Sequence, residues 1–212
     1  IGEFSIHKEF VSAKIAGEVA SLQDQALDRL IDFATEVGLV VLIHNDVDVP
    51  FAKPGAEPAY AAQMKALLKR HPNTTFIWAH IGVGRIIRPI KDQAAIVEEI
   101  INDPQLRNVY FDISWDEVAK YIVATPESLK TAATMVNKYP DRFLFGTDEV
   151  APPNQETYLK VYNPYNRMVA RDTTADDVPL VYYRAASSGR YKIEAVFYRG
   201  RVAPSKNRLG VF

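Results

Sequence analysis

The sequence predicts an α/β fold, a barrel built from βα units. Three observations lead there: apolar runs without polar alternation, amphipathic stretches between them, and a polar residue ending each run at regular spacing. The clearest run is Leu39-Val40-Val41-Leu42-Ile43, with His44 at its end. A run of that kind suits a parallel strand buried on both faces. Thr75-Phe76-Ile77-Trp78-Ala79 ends at His80, Val109-Tyr110-Phe111 ends at Asp112, and Arg142-Phe143-Leu144-Phe145-Gly146-Thr147 ends at Asp148. Residues 1–6 form a fifth run, with Glu3 inside it. Glu3, His44, His80, Asp112 and Asp148 lie 41, 36, 32 and 36 residues apart. Each interval is about one βα unit, because a parallel crossover takes roughly 30 residues.

The intervening segments read as helices. Ser21 is the expected N-cap of a first helix burying Leu22, Ala26, Leu30, Phe33 and Val37, with Gly38 as its C-terminal stop. A second helix is expected over residues 57–70, ahead of Pro72. The third places Ile90, Ala94, Val97 and Ile101 on one face and stops before Pro104. The fourth starts at Thr125, with Pro126 in the first-turn position that proline tolerates, and buries Leu129, Ala132, Ala133 and Val136.

Regular βα units close into a barrel or open into a doubly wound sheet. No glycine-rich phosphate loop follows any strand. Gly82-Val83-Gly84 is too short for the dinucleotide fingerprint, so the barrel is preferred.

Composition narrows the function classes. The 212 residues suffice for one domain, read as barrel units over 1–153 and a C-terminal helix and tail over 154–212. A net charge of −1 gives no hint of a nucleic-acid or membrane partner, and no apolar run approaches the roughly 20 residues that span a bilayer. The absence of cysteine excludes disulfides, thiolate metal sites and a cysteine nucleophile. Nothing in the composition fixes a compartment.

Function in such barrels resides at the C-terminal strand ends. Imidazole and carboxylate at His44, His80 and Asp148 suit Zn²⁺ and related divalent ions. A lone histidine capping a strand also has a plain structural reading, as a hydrogen-bonded residue at the rim of the core. Two histidines and an aspartate in the same relative position make the functional reading the stronger one.

Ile-His-Asn at residues 43–45, Trp-Ala-His-Ile-Gly at 78–82 and Leu-Phe-Gly-Thr-Asp at 144–148 resemble the amidohydrolase superfamily. The branch they resemble holds metal-dependent hydrolases and decarboxylases of the aminocarboxymuconate-semialdehyde decarboxylase type. The likeness covers about residues 1–153. It implies a distorted (β/α)8 TIM barrel, present here as strands four to eight, with the N-terminal strands missing.

The resemblance implies a divalent metal cofactor, Zn²⁺ foremost. It implies His44 and Asp148 as metal ligands, Asp148 and His80 as catalytic groups, and Glu3 and His80 as further candidate ligands. The rival reading of Glu3 is a salt bridge or hydrogen bond at the rim. A small-molecule substrate is the expected partner, with homo-oligomers common among relatives. Arg85 and Asn45 are candidate substrate contacts, and the long loops after residues 46 and 80 would line the pocket. Arg88 shares that reading. The competing reading for both arginines is a solvated surface position, and for Asn45, Asp46 and Asp48 a turn.

Departures from the family pattern qualify these expectations. The family's strand-one His-x-His pair has no counterpart among His7, His44, His71 and His80. The expectation is that this pair, with strands one to three, precedes Ile1, and that these residues alone are inactive or bind metal only weakly. Two alternatives stay open: a metal-free barrel like the pyrone-dicarboxylate lactonases, and a non-catalytic fragment or binding module. His71, beside Pro72, reads as solvated, and Asp112 as structural rather than catalytic. Residues 181–212 hold seven Arg or Lys and one acid, Glu194, among aromatic residues. Such interleaving can bind single-stranded nucleic acid. Without a recognition motif it reads instead as a packed terminal segment with snorkelling arginines.

Overall fold

The computed structural model describes residues 1–9, 20–149 and 151–165, together with the backbone of 195–197 and 205–207. The chain divides into two compact units, Ile1–Asp112 and Ile113–Phe212.

The first unit alternates strand and helix: β1 Phe4–Ser5, α1 Gln25–Glu36, β2 Val41–His44, α2 Ala61–Arg70, β3 Phe76–Trp78, α3 Gln93–Asn102 and β4 Val109–Asp112. The four strands pair in parallel, in chain order. β1, β2 and β3 are each shorter than their apolar runs, and Glu3 stands just before β1 rather than inside it.

Burial alternates along the strands. Val41, Ile43, Phe76, Trp78, Val109 and Phe111 are fully buried, while Leu42, Ile77 and Tyr110, in register with one another, are only half-buried. The sheet thus has one sealed face and one less covered face. Side chains two residues apart share a face, so His44 and Asp112 project from the less covered one, with Leu42 and Tyr110. That alternation aims polar strand-end groups away from the aromatic core.

Helix α1 differs from expectation in its N-cap and in its buried face. Asp24, not Ser21, is the N-cap, its carboxylate accepting the Ala26 amide. The buried face is Leu27, Ile31 and Ala34, while Leu30, Phe33 and Val37 are exposed. The sequence carries two apolar stripes at helical spacing, and the structure buries the other one. Each fully buried Leu or Ile contributes about 1.5–3 kcal/mol, which fixes the helix in this rotation. Gly38 does follow the helix in the left-handed conformation (φ 72°). Helix α2 begins at Ala61, four residues later than expected. On α3 the buried residues are Gln93, Val97, Ile100 and Ile101.

The second unit, described by itself, holds α4 Asp116–Ile122, α5 Pro126–Lys138, β5 Phe143–Leu144, α6 Gln155–Lys160, β6 Ala195–Phe197 and β7 Ser205–Asn207. Helix α4 was not legible as a separate element. Thr125 caps α5 through a reciprocal box with Ser128, and α5 buries Leu129, Ala133 and Val136. The Ile113 amide donates to Leu144 O at 2.9 Å, and the Tyr165 hydroxyl donates to Ile113 O and Trp115 O. Strands β6 and β7 pair antiparallel, so part of the tail is a strand pair. The side chains of the basic and aromatic tail lie outside the described residues.

Candidate metal centre

The pairing of β1 with β2 sets Ser5 opposite His44, which brings Glu3 and Lys8 to the end of β2. His44 is 1% exposed. Its Nε2 faces Asp46 Oδ1 at 3.1 Å in hydrogen-bond geometry. Its Nδ1 lies 3.3 Å from Glu3 Oε1, near enough for attraction but not aligned as a hydrogen bond. Glu3 Oε1 also accepts from Lys8 Nζ at 3.0 Å and from Ser5 Oγ at 3.1 Å.

His80 reaches the same place from β3. After Trp78 the chain turns through Ala79–Gly82, with His80 (φ 56°) and Ile81 (φ 49°) both left-handed. Two successive non-glycine residues there cost on the order of 1–3 kcal/mol each. Gly82 follows at φ 76°, where a Cβ would stand 2.7 Å from the Trp78 ring. The indole itself is pinned by its Nε1–H, which donates to Asn45 O at 2.8 Å. The turn sets His80 Nδ1 3.2 Å from Asp112 Oδ2 and Nε2 3.8 Å from Glu3 Oε2. The two imidazoles sit edge to face, centroids 5.1 Å apart.

The result is a symmetric arrangement. Each histidine turns one ring nitrogen to an aspartate and the other toward Glu3. Glu3, His44 and His80 each offer one ligand atom, and these atoms lie within 4.8 Å of one another. Burial raises the cost of ionising Glu3, yet its contacts with His44 and Lys8 outweigh that and hold its pKa well below the usual range. Burial likewise opposes charge on His44, but Asp46 and Glu3 hold its pKa above the usual 6.5.

These residues fit a divalent ion. One carboxylate and two imidazoles match the ligand preferences of Zn²⁺. Zinc-bound histidines almost always donate their other ring N–H to a carboxylate or carbonyl, the position Asp46 takes beside His44; Asp112 Oδ2 lies 3.2 Å from His80 Nδ1, close but not aligned as a hydrogen bond. With Nε2–H donated to Asp46, His44 Nδ1 presents a lone pair toward an anionic oxygen. A cation between them, proton or metal, resolves that repulsion. The buried Nδ1, with no hydrogen bond among the described residues, records the need.

The other sequence candidates are placed as follows. Asn45 is fully buried, its amide donating to Asp46 O and its Oδ1 paired with His7 Nδ1 at 2.8 Å. The His7 ring stacks on Tyr60, centroids 3.8 Å apart. Arg85 is largely exposed, with Nε 3.8 Å from Glu9 Oε2, and Arg88 is exposed. Asp48 accepts the amides of Val49 and Ala59 and so shapes its own loop. Asp148 follows β5 in the second unit, exposed and left-handed (φ 49°).

His71 is a correction. It is buried rather than solvated, with Nε2 2.8 Å from Asp28 Oδ1 and Nδ1 3.1 Å from Asp32 Oδ1. Lys8 was missed as a partner of Glu3. Asp46 carried a local signal, the His-x-Asp spacing, and Asp112 a positional one, since Phe111 pairs with Trp78 two residues before His80.

A family model described as Amidohydrolase matches residues 10–186. No curated protein matches the chain. Among solved structures, a dihydroorotase from Campylobacter jejuni is 12% identical at a TM-score of 0.47, over 77% of this chain and 54% of its own. A putative 2-pyrone-4,6-dicarboxylic acid hydrolase from Pseudomonas putida is 16% identical at 0.45, over 73% and 53%. An amidohydrolase from Burkholderia multivorans, with bound zinc, is 14% identical at 0.44, over 77% and 61%. The chain therefore spans a little over half the length of these structures.

Proposed function

Because the chain belongs to the amidohydrolase family, we propose that it carries a divalent-metal site of a hydrolase that cleaves a C–N or C–O bond, or of a decarboxylase. The substrate class is a small cyclic or carboxylate-bearing molecule. The observation that supports this reading is the Glu3, His44 and His80 cluster, with a carboxylate behind each imidazole.

Glu3, His44 and His80 would hold the ion, and Zn²⁺ is the ion their donor set suits best. When bound, such an ion supplies Lewis acidity to a substrate oxygen. Asp46 fixes the tautomer of His44 and orients Nδ1 toward the site. Asp112 does the same for His80, orienting Nε2. The left-handed turn at His80 and Ile81 holds that ring without a long flexible tether. Lys8 Nζ pairs with Glu3 Oε1 at 3.0 Å. Proton transfer by Asp148, which the family resemblance suggests, is a separate part of the proposal. Asp148→Asn in an active preparation should abolish turnover with the fold retained, and near-wild-type activity would refute that role.

Metal analysis tests the main reading. The protein is expected to retain Zn²⁺ through gel filtration, and His44→Ala and His80→Ala to lose it. Equal zinc content in all three proteins would contradict the assignment.

A further inference from the structure

Lys8 has no place in a metal centre as such, yet its ammonium stands on one of the three ligands. Its Nζ is 3.0 Å from Glu3 Oε1, the same oxygen that faces His44 Nδ1 at 3.3 Å. Only Glu3 Oε2 is directed to His80. The Lys8 side chain is 22% exposed, so this ion pair is more sheltered from solvent than a surface one.

A divalent ion bound by Glu3 would stand a few ångströms from that ammonium. Like charges at such separations repel strongly wherever water is largely excluded. Lysine is a compact charge on a flexible four-carbon stem, and Lys8 lies in the segment just after β1, so it can swing away from the carboxylate. With Lys8 in place, Glu3 is held as an anion in the absence of metal; with metal in place, the ammonium is surplus.

We infer that Lys8 is a resident counter-ion that competes with the divalent cation for Glu3, so that metal uptake is an exchange of ammonium for metal at one carboxylate. The inference rests on the metal reading of the Glu3, His44 and His80 cluster. It goes beyond that reading by assigning Lys8 the setting of affinity. A lysine that merely braced Glu3 for the ion would act in the opposite direction, which makes the sign decisive.

The experiment is a Co²⁺ titration of the full chain, wild type against Lys8→Met and Lys8→Arg, followed through the visible bands of inner-sphere cobalt. Lys8→Met keeps the side-chain length and removes the charge. Its dissociation constant is expected to fall about tenfold, the scale of a partly sheltered ion pair that no longer has to be broken. Lys8→Arg keeps the charge and can pair with the carboxylate through two N–H groups, so its dissociation constant should not fall below that of wild type. An unchanged or higher dissociation constant in Lys8→Met overturns the role of Lys8 while leaving the metal site standing. Absence of cobalt bands in wild type and Lys8→Met alike overturns the metal site and this inference together.

Discussion

His71 and His44, two of the buried histidines in the first unit, each stand between a pair of carboxylates, and they have come to different ends. His71, at the close of α2, bonds Asp28 through Nε2 and Asp32 through Nδ1. His44, at the close of β2, bonds Asp46 through Nε2, while its Nδ1 faces Glu3 without a hydrogen bond. Around His71 one carboxylate, Asp32, is open to water at 70% exposure, and Arg70, then His71, hold the half-buried Asp28 carboxyl below its usual range. Around His44 a second imidazole, His80, faces the same carboxylate. The same local chemistry thus makes a clasp between two helices in one place and a cluster of two imidazoles on one carboxylate in the other. What separates them is the ring nitrogen left over.

The largest expected effect follows from that difference. His44→Ala should weaken Zn²⁺ binding by more than about 100-fold, since it removes a ligand where loss of a supporting carboxylate alone costs about 10–100-fold. His71→Ala should leave zinc affinity unchanged and lower stability by about 1–3 kcal/mol, the scale of hydrogen bonds made to charged groups. Isothermal titration and chemical denaturation of both variants would break the comparison if the two exchanged phenotypes.

The supporting carboxylates come next. Asp46→Asn and Asp112→Asn should each reduce zinc affinity about 10–100-fold with the fold intact. Asp32→Asn, at the exposed side of the other histidine, should change stability by less than about 1 kcal/mol.

Smaller and pH-dependent effects sharpen the contrast. The pKa of His44 lies above its usual 6.5, so its charge contributes stability that is complete below pH 6.5 and is lost as pH rises through the raised value. Glu3 lies below its usual 4.5, so its contribution is present above that pH and lost as pH falls through the lowered value. With chelator present, the melting temperature should decline on the alkaline side of His44, and His44→Asn should flatten that decline. Metal binding needs the neutral imidazole, so zinc affinity should rise over the same range. An alkaline decline that survives in His44→Asn would assign it to another group.

The sequence made the strand ends legible because a buried parallel strand writes itself as an unbroken apolar run, and a polar residue closing it stands out. His44, His80 and Asp112 were found that way, and Glu3 through its place in the first run. The face of α1 was not legible, because Leu27, Ile31 and Ala34 compete with Leu30, Phe33 and Val37 at the same helical spacing, and periodicity cannot choose between them. Helix α4 was too short to show a period. His71 was misread because its partners, Asp28 and Asp32, lie 43 and 39 residues away, on a different helix. Lys8 is close to Glu3 in sequence, yet only the pairing of β1 with β2 turns both toward His44.

The central claim is that Glu3, His44 and His80 share one divalent ion. Anomalous diffraction at the zinc edge, from crystals of the zinc-loaded protein, tests it most directly. The account predicts a single strong peak bounded by the Glu3 carboxylate, His44 Nδ1 and His80 Nε2. A peak elsewhere, or Lys8 and Glu3 still paired with no density between the two imidazoles, would contradict it.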